Sequence, residues 1–185
     1  GIDGVYYLTN STVLALDSLP AHLIIIGGSY IGLEFAQIYR RFGSQVTLVE
    51  QESRLIPRED EDVSAAIKEI LEKEGIDIRL DARVERVEKQ GEGTAVHLQT
   101  PQGAQQLKGS HLLIAVGRRP NTDDLDLDKA GVEVDARGFI QVDDELRTSA
   151  PGIWAMGDCN GRGAFTHTSY NDFEIIAANL FDQDR

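Results

Sequence analysis

Residues 22–34, which read HLIIIGGSYIGLE, constrain the fold of this chain more than any other stretch. A short apolar run with three consecutive isoleucines is typical of a strand that is buried on both faces at the centre of a parallel sheet. Glycines at Gly27 and Gly32 then lead the chain into a helix, with Gly28 and Ser29 between them. Such a tight turn directs backbone N–H groups and the positive end of the helix at one point, which suits a pyrophosphate.

The next strand adds a second feature to this turn. Residues 45–49, which read QVTLV, form a second short strand-like run that ends at Glu50. This position is close to the offset of about 20 residues at which an acid meets the ribose hydroxyls of a dinucleotide. Strand, turn, helix, strand and acid together predict a dinucleotide-binding βαβ unit. The alternative for the turn alone is a packing turn without a ligand.

Composition excludes several classes of partner. The 18 Lys and Arg against 31 Asp and Glu give a net charge of −13, which argues against nucleic acid and anionic membrane surfaces. No apolar run approaches the ~20 residues of a membrane span, and no signal peptide is visible. The one cysteine, Cys159, excludes an internal disulfide, and we expect it to be an inert, partly buried thiol in a reducing, cytoplasmic setting.

The periodicity of apolar residues predicts an α/β fold in three segments. These are a connector at residues 1–19, a nucleotide-binding domain at residues 20–121 and a shorter segment at residues 122–185. Three helices are expected. The first covers about residues 30–42, with Ile31, Phe35, Ile38 and Phe42 on one face. The second has the acidic residues 59–62 at its N-terminus and stops at Gly75, with Val63, Ala66, Ile67, Ile70 and Leu71 at helical spacing, and the third runs from about residue 168, with Phe173, Ile176, Ala177 and Leu180 on its inner face. The expected strands are residues 22–26, 45–49, 76–80, an antiparallel meander at 84–89, 94–100 and 105–108, then 111–116, and short strands near Val132, Phe139 and 153–156.

Three motifs then carry a family likeness. GGSYIGLE at 27–34, AVGRRPN at 115–121 and TSAPGIWAMGD at 148–158 resemble, in order and spacing, motifs of the flavoprotein disulfide oxidoreductases. Residues 54–67 and 165–175 are most similar to the mercuric reductase and dihydrolipoamide dehydrogenase branch. The resemblance implies a Rossmann-like parallel sheet with a β-meander crossover, followed by a partial return segment of the FAD-binding domain. It also implies an excised middle section of a homodimeric parent, whose main FAD unit, cysteine pair and dimer-interface domain lie elsewhere.

The resemblance implies that the first motif binds NAD(H). Gly27, Gly28, Ser29, Ile31 and Gly32 would form the phosphate turn. Ser29 stands where a strict G-x-G-x-x-G has glycine, so its Cβ narrows the approach to the pyrophosphate, although its hydroxyl can donate a hydrogen bond.

Two further residues of this motif match family positions near the nicotinamide. Tyr30 matches an aromatic that covers the nicotinamide pocket, with a surface aromatic as the even alternative. Glu34 matches an acid near the carboxamide, with a glutamate that complements the helix dipole as its alternative.

Two residues bear on which nucleotide binds. Glu50 favours NAD, because a carboxylate accepts from both ribose hydroxyls and repels the 2′-phosphate of NADP. Arg54 is the competing feature, because a flexible arginine four residues on can reach a phosphate. Ala115, Val116 and Gly117 match the segment that passes close under the nicotinamide.

The last motif is implied to complete the flavin site. Gly157 and Asp158 match a Gly-Asp pair whose acid accepts from the ribityl hydroxyls of FAD, and Thr166 and His167 lie where relatives pass the flavin ring. We expect no catalytic residue and no metal site in this chain. The predicted function is the NAD(H)-binding portion of an FAD-dependent pyridine nucleotide-disulfide oxidoreductase, delivering hydride from NAD(P)H to FAD in the parent. This chain alone is expected to bind nucleotide without turnover.

Three alternative functions share some of these sequence features. One is a stand-alone NAD-responsive binding or redox-sensing module without catalysis. A short-chain dehydrogenase would need a Tyr-x-x-x-Lys pair, and none of the five tyrosines has a lysine four residues later. An S-adenosylmethionine methyltransferase would share the turn and Glu50, but it gives no reason for residues 148–158.

Overall fold

A parallel sheet organises the first half of the chain. The computed structural model describes residues 1–181, and the chain divides into two compact units, Gly1–Val116 and Gly117–Arg185. The strands of the first unit's parallel sheet are β1 (His22–Ile26), β2 (Gln45–Val49), β3 (Asp77–Arg79) and β7 (His111–Ile114). They lie in the order β3-β2-β1-β7, with every pair parallel. Since β2 and β7 lie on opposite sides of β1, the carboxyl end of β1 is a topological switch point, where α/β sheets bind ligands.

The first helix occupies the predicted residues but buries a different face. Helix α1 spans Tyr30–Phe42 and ends at Gly43, whose φ of +108° provides the left-handed cap. Phe35 is buried as expected, whereas Ile38 and Phe42 are 42% and 70% exposed. Tyr39 is buried instead, because its hydroxyl donates to the carbonyl oxygen of Val13 at 2.7 Å, under the N-terminal segment.

The second helix, α2 (Glu61–Lys73), also differs on its inner face. Leu71 is buried, but Val63 and Ile70 are exposed. The buried residue of the first turn is Ser64, whose hydroxyl donates to the carbonyl oxygen of Leu55 at 2.7 Å. The apolar pattern predicted that Val63 would be buried in this turn. Ser64 is buried instead, because its hydroxyl forms a hydrogen bond with a loop carbonyl.

The N-terminal residues pack into the first unit. Leu8 forms a parallel bridge to Leu113 of β7, and its N–H donates to the carbonyl oxygen of Leu112 at 2.7 Å. Leu8 and Val13 are completely buried. Residues 1–19 were predicted to be only a connector, but they contribute side chains to the core.

The meander is confirmed as an antiparallel sheet. Strands β4 (Arg83–Gln90), β5 (Gly93–Thr100) and β6 (Gly103–Gly109) pair in sequence order. Val96 and Leu98 of β5 share an apolar cluster with Ile24 of β1 and Leu112 of β7. The predicted α/β fold with a parallel sheet and a meander crossover is therefore correct.

The second unit contains less regular structure than expected. Its core includes Val132, Ile140, Ala150 and Ala155. Within residues 117–181 the expected short strands are reduced to single bridges, Val134 to Ile140 and Arg147 to Trp154. These predictions were wrong because each segment meets its partner at one residue only.

The last described helix, α3 (Thr166–Phe181), begins two residues before its predicted start. Phe173 and Leu180 are exposed, contrary to the expected inner face, and Asp172 is buried. Of the helices in residues 1–181, none has the length and apolar character needed to cross a membrane.

Candidate dinucleotide site

The Gly-rich turn lies between the carboxyl ends of β2 and β7. The Gly27 N–H donates to the carbonyl oxygen of Val49 at 2.9 Å, and the Ala115 N–H donates to that of Ile26 at 2.8 Å. Gly27 has a φ of +114°, and a Cβ there would lie 2.5 Å from the carbonyl oxygen of Ala115. Both the backbone conformation and the close approach of β7 require glycine at this position.

Two further positions of the turn also require glycine. A Cβ on Gly32 would lie 1.9 Å from the carbonyl oxygen of Gly27, so the absence of a side chain lets α1 approach the turn. A Cβ on Gly28 would lie 2.8 Å from Cδ2 of Leu55 and 3.0 Å from Oε2 of Glu50. The turn is thus a backbone cradle of the kind that fits a pyrophosphate.

The N-terminus of α1 opens at this cradle. Ser29 is the N-cap in extended conformation, with φ −98°, so a non-glycine residue fits without strain. The first helical hydrogen bond runs from the Leu33 N–H to the Ser29 carbonyl oxygen at 3.1 Å. The N–H groups of Ile31 and Gly32 precede that bond and have no acceptor within the helix, which makes this end suitable for an anion.

Glu50 is held against the turn by both of its carboxylate oxygens. Oε2 accepts from the Gly28 N–H at 2.6 Å, and Oε1 accepts from the Glu52 N–H at 3.0 Å. The Glu50 N–H itself donates to the carbonyl oxygen of Arg79 at 2.8 Å, at the end of β3. Each carboxylate oxygen keeps a further acceptor position, so Glu50 can receive ribose hydroxyls from a fixed orientation.

The remaining residues predicted around this turn have distinct environments. Arg54 is half-buried and donates to the carbonyl oxygen of Pro57 at 2.8 Å. The Tyr30 hydroxyl donates to Oε1 of Glu59, and this hydrogen bond raises the pKa of the phenol. Glu34 is exposed on α1.

The segment after β7, residues 115–117, follows the strand that lies beside the turn. Ala115 is held by its hydrogen bond to Ile26, whereas Val116 is 59% exposed. Gly117 opens the second unit with a φ of +72°. The structure therefore gathers Gly27, Gly28, Glu50 and Ala115 around one turn of the first unit.

The Gly-Asp pair of the second unit is organised by a residue that the sequence did not reveal. Asp172 of α3 is buried, and its Oδ2 accepts from the Gly157 N–H and from Nδ2 of Asn160, both at 2.8 Å. Gly157 has a φ of +78° and starts a short 3-10 helix, Gly157–Asn160. Only the folded chain brings Asp172 to this helix, so neither its spacing nor its residue type could identify the role.

Asp158 and its neighbours complete this second cluster. Arg118 forms an ion pair with the Asp158 carboxylate, whose side chain is 50% exposed. Burial raises the pKa of the Cys159 thiol, and its Sγ lies 3.3 Å from the carbonyl oxygen of Met156. The cysteine is half-buried as predicted, and a raised pKa disfavours the thiolate, which is the reactive form; the inertness of this thiol stays a prediction.

Thr166 and His167 form the start of α3. The His167 ring stacks on Phe165, with centroids 5.4 Å apart. Among the residues that the structure describes, no group of three His, Cys, Asp or Glu side chains is arranged to hold a metal ion.

The two clusters fit different parts of dinucleotide chemistry. The first unit offers a glycine cradle, helix N–H groups and a fixed carboxylate, which suit a pyrophosphate and an adenosine ribose. The second unit offers a half-exposed carboxylate beside Gly157, which has the chemistry to accept from a polyol hydroxyl.

Comparison with known proteins gives consistent matches over nearly the whole chain. A family profile described as "pyridine nucleotide-disulphide oxidoreductase" matches residues 1–172. A mercuric reductase of Streptomyces lividans is 43% identical over 182 residues, which cover 98% of this chain and 38% of that protein. A dihydrolipoyl dehydrogenase of Thermus scotoductus is 41% identical over 165 residues, which cover 88% of this chain and 36% of that protein.

Comparison of the three-dimensional structure with solved structures finds the same kind of protein. The HOCl-induced flavoprotein disulfide reductase RclA from Escherichia coli matches with a TM-score of 0.90 and 41% sequence identity. The match covers 98% of this chain and 41% of that protein. The chain therefore spans about two fifths of the length of the relatives that it matches.

Proposed function

Because the chain belongs to the pyridine nucleotide-disulphide oxidoreductase family, we propose that its first unit binds the nicotinamide dinucleotide that delivers hydride to FAD in a full-length parent. The observation that carries this proposal is the turn at residues 27–32, where Gly27, Gly28 and Gly32 leave the backbone uncovered and α1 presents its N-terminus. The nicotinamide supplies the hydride when it is bound. The residues of this chain bind and orient the dinucleotide.

NAD is the proposed dinucleotide rather than NADP. Glu50 is fixed by the Gly28 and Glu52 N–H groups, so its charge stays where a 2′-phosphate would lie. Arg54 donates to the carbonyl oxygen of Pro57, and reaching a phosphate would require it to leave that hydrogen bond. Both observations favour a ribose with two free hydroxyls.

The second unit is proposed to contribute part of the FAD site. Asp158 would accept from ribityl hydroxyls, and Gly157, held by Asp172, would allow close approach of the cofactor. For the parent we propose a cytoplasmic homodimer that passes electrons from NADH through FAD to a cysteine pair outside this chain. The chain alone is proposed to bind nucleotide without turnover.

Calorimetric titration with NADH and, separately, NADPH tests the proposal. We expect saturable NADH binding that is tighter than NADPH binding. Glu50→Ala should weaken NADH binding at least about tenfold, because it removes an ionised acceptor from two hydroxyls.

Glu52→Ala is the matched control, because it removes the same charge nearby and keeps the Glu52 N–H that orients Glu50. This variant should bind NADH as the unaltered chain does. Tighter binding of NADPH, or an unchanged affinity in Glu50→Ala, would contradict the NAD assignment.

A further inference from the structure

Three hydrogen bonds fasten the loop after β2 onto the Gly-rich turn. We call residues 51–60 the strap. Just before the strap, the Gly28 N–H donates to Oε2 of Glu50 at 2.6 Å, and in the middle of the strap the Ile56 N–H donates to the Gly28 carbonyl oxygen at 2.9 Å. Near its end Glu59 accepts a hydrogen bond from the Tyr30 hydroxyl. Glu50 and the strap that follows it are thus hydrogen-bonded to Gly28 on both sides of its Cα, and the strap is hydrogen-bonded again to Tyr30, the first residue of α1.

The middle of the strap is anchored and strained. Ile56 is 3% exposed and has a φ of +39°, a conformation that a β-branched residue adopts only when its surroundings enforce it. The neighbouring Leu55 is completely buried, and its carbonyl oxygen accepts from the Ser64 hydroxyl of α2. Strain held by packing is found at sites where a loop must keep one conformation.

A tight turn then brings the end of the strap back to α1. The Glu59 N–H donates to the carbonyl oxygen of Ile56 at 2.9 Å, which places the Glu59 side chain within reach of Tyr30. Tyr30 is 38% exposed, so this is the outermost of the three contacts and the one most open to water. A hydrogen bond to an ionised acceptor at this position restrains both the tyrosine ring and the end of the strap.

The strap also determines where the Glu50 carboxylate points. The Glu52 N–H, which belongs to the strap, donates to Oε1 of Glu50 at 3.0 Å. If the strap loosens, Glu50 loses one of the two donors that fix its orientation. A change at Glu59 can therefore reach the ribose-binding carboxylate without direct contact.

We propose that Glu59 is a positioning residue which, through its hydrogen bond to Tyr30, holds the strap closed and keeps Glu50 oriented for the ribose of the dinucleotide. This inference rests on the proposed dinucleotide site. It adds Glu59 to the residues that matter for binding, although the Glu59 side chain is not proposed to contact the dinucleotide. The raised pKa of Tyr30 agrees with a phenol that donates to a carboxylate.

Hydrogen–deuterium exchange of the unliganded chain tests the strap without any nucleotide. Glu59→Ala and Tyr30→Phe remove the same bond from opposite sides, and both should speed exchange of the Ile56 and Glu52 amide hydrogens. Glu59→Gln keeps an acceptor oxygen and should restore slow exchange. Glu61→Ala is the control, because it removes the same charge two residues later in the exposed first turn of α2.

NADH titration of the same variants tests the effect on Glu50. Glu59→Ala and Tyr30→Phe should each weaken NADH binding about fivefold, as expected for the loss of one partly exposed hydrogen bond. The double variant should be no weaker than either single variant, because one bond is lost in all three. Glu59→Gln and Glu61→Ala should bind as the unaltered chain does.

Different failures have different meanings. Unchanged exchange in Glu59→Ala, additive losses in the double variant, or tighter binding after Glu59→Ala would overturn the positioning role while leaving the dinucleotide site intact. Absence of NADH binding by the unaltered chain would overturn the proposed function and, with it, the role of Glu59 in binding.

Discussion

Gly27→Ala is the substitution whose effect follows most directly from the geometry of the turn. Placing a non-glycine residue at a φ of +114° costs about 1–2 kcal/mol. The new Cβ would lie 2.5 Å from the carbonyl oxygen of Ala115, and relieving such an overlap with backbone costs a further 1–3 kcal/mol or so. The reduced entropy of the unfolded chain returns about 0.4–1 kcal/mol. We therefore expect a destabilisation of about 3 kcal/mol.

Urea unfolding followed by far-UV circular dichroism measures this change. The midpoint should fall while the slope of the unfolding free energy against urea stays constant, since the surface exposed on unfolding is the same. Gly4→Ala is the control, because a Cβ at position 4 would meet no atom beyond its chain neighbours within 4 Å. A free energy of unfolding for Gly27→Ala within about 0.5 kcal/mol of the Gly4→Ala value would refute the reasoning.

Three further predictions concern other parts of the chain. Burial lowers the pKa of His22 below its usual value of 6.5, so the unfolded chain binds more protons between the two values. Stability should be full above pH 6.5 and fall as the pH drops to the lowered value; unfolding of His22→Asn should lack this step. Asp172→Ala should destabilise the second unit by about 2–3 kcal/mol, because two buried donors lose a charged acceptor, and Trp154 fluorescence during urea unfolding measures it. Cys159 should react with iodoacetamide more slowly than free cysteine at pH 7, since burial raises its pKa; an equal rate in a mass-spectrometric time course would contradict this environment.

The elements with strong local patterns could be predicted from the sequence. Helix α1 and strand β2 have the predicted limits, because Gly43 provides a left-handed cap and a short run rich in β-branched residues forms the strand. The meander was also predictable, because Gly-rich turns separate its strands. The cofactor residues assigned by resemblance remain predictions, although the structure brings most of those in the first unit to one turn.

The predictions that were wrong or missing concern contacts between residues that are distant in the sequence. Tyr39 is buried and Phe42 exposed because the N-terminal segment covers one side of α1, which helical periodicity cannot reveal. Asp172 acts on the Gly-Asp pair only after α3 docks beside it. The role proposed for Glu59 likewise depends on a turn at Ile56 whose φ no sequence pattern predicts.

Locating the NADH-binding residues by NMR most directly tests the claim that the turn at residues 27–32 is a dinucleotide site. Titration of the 15N-labelled chain with NADH should produce saturable shifts of the amide signals of residues 27–32, Glu50 and Ala115, with the meander strands β4 to β6 unaffected. Binding that shifts only other regions, or no shifts at millimolar NADH, would contradict a dinucleotide site at this turn.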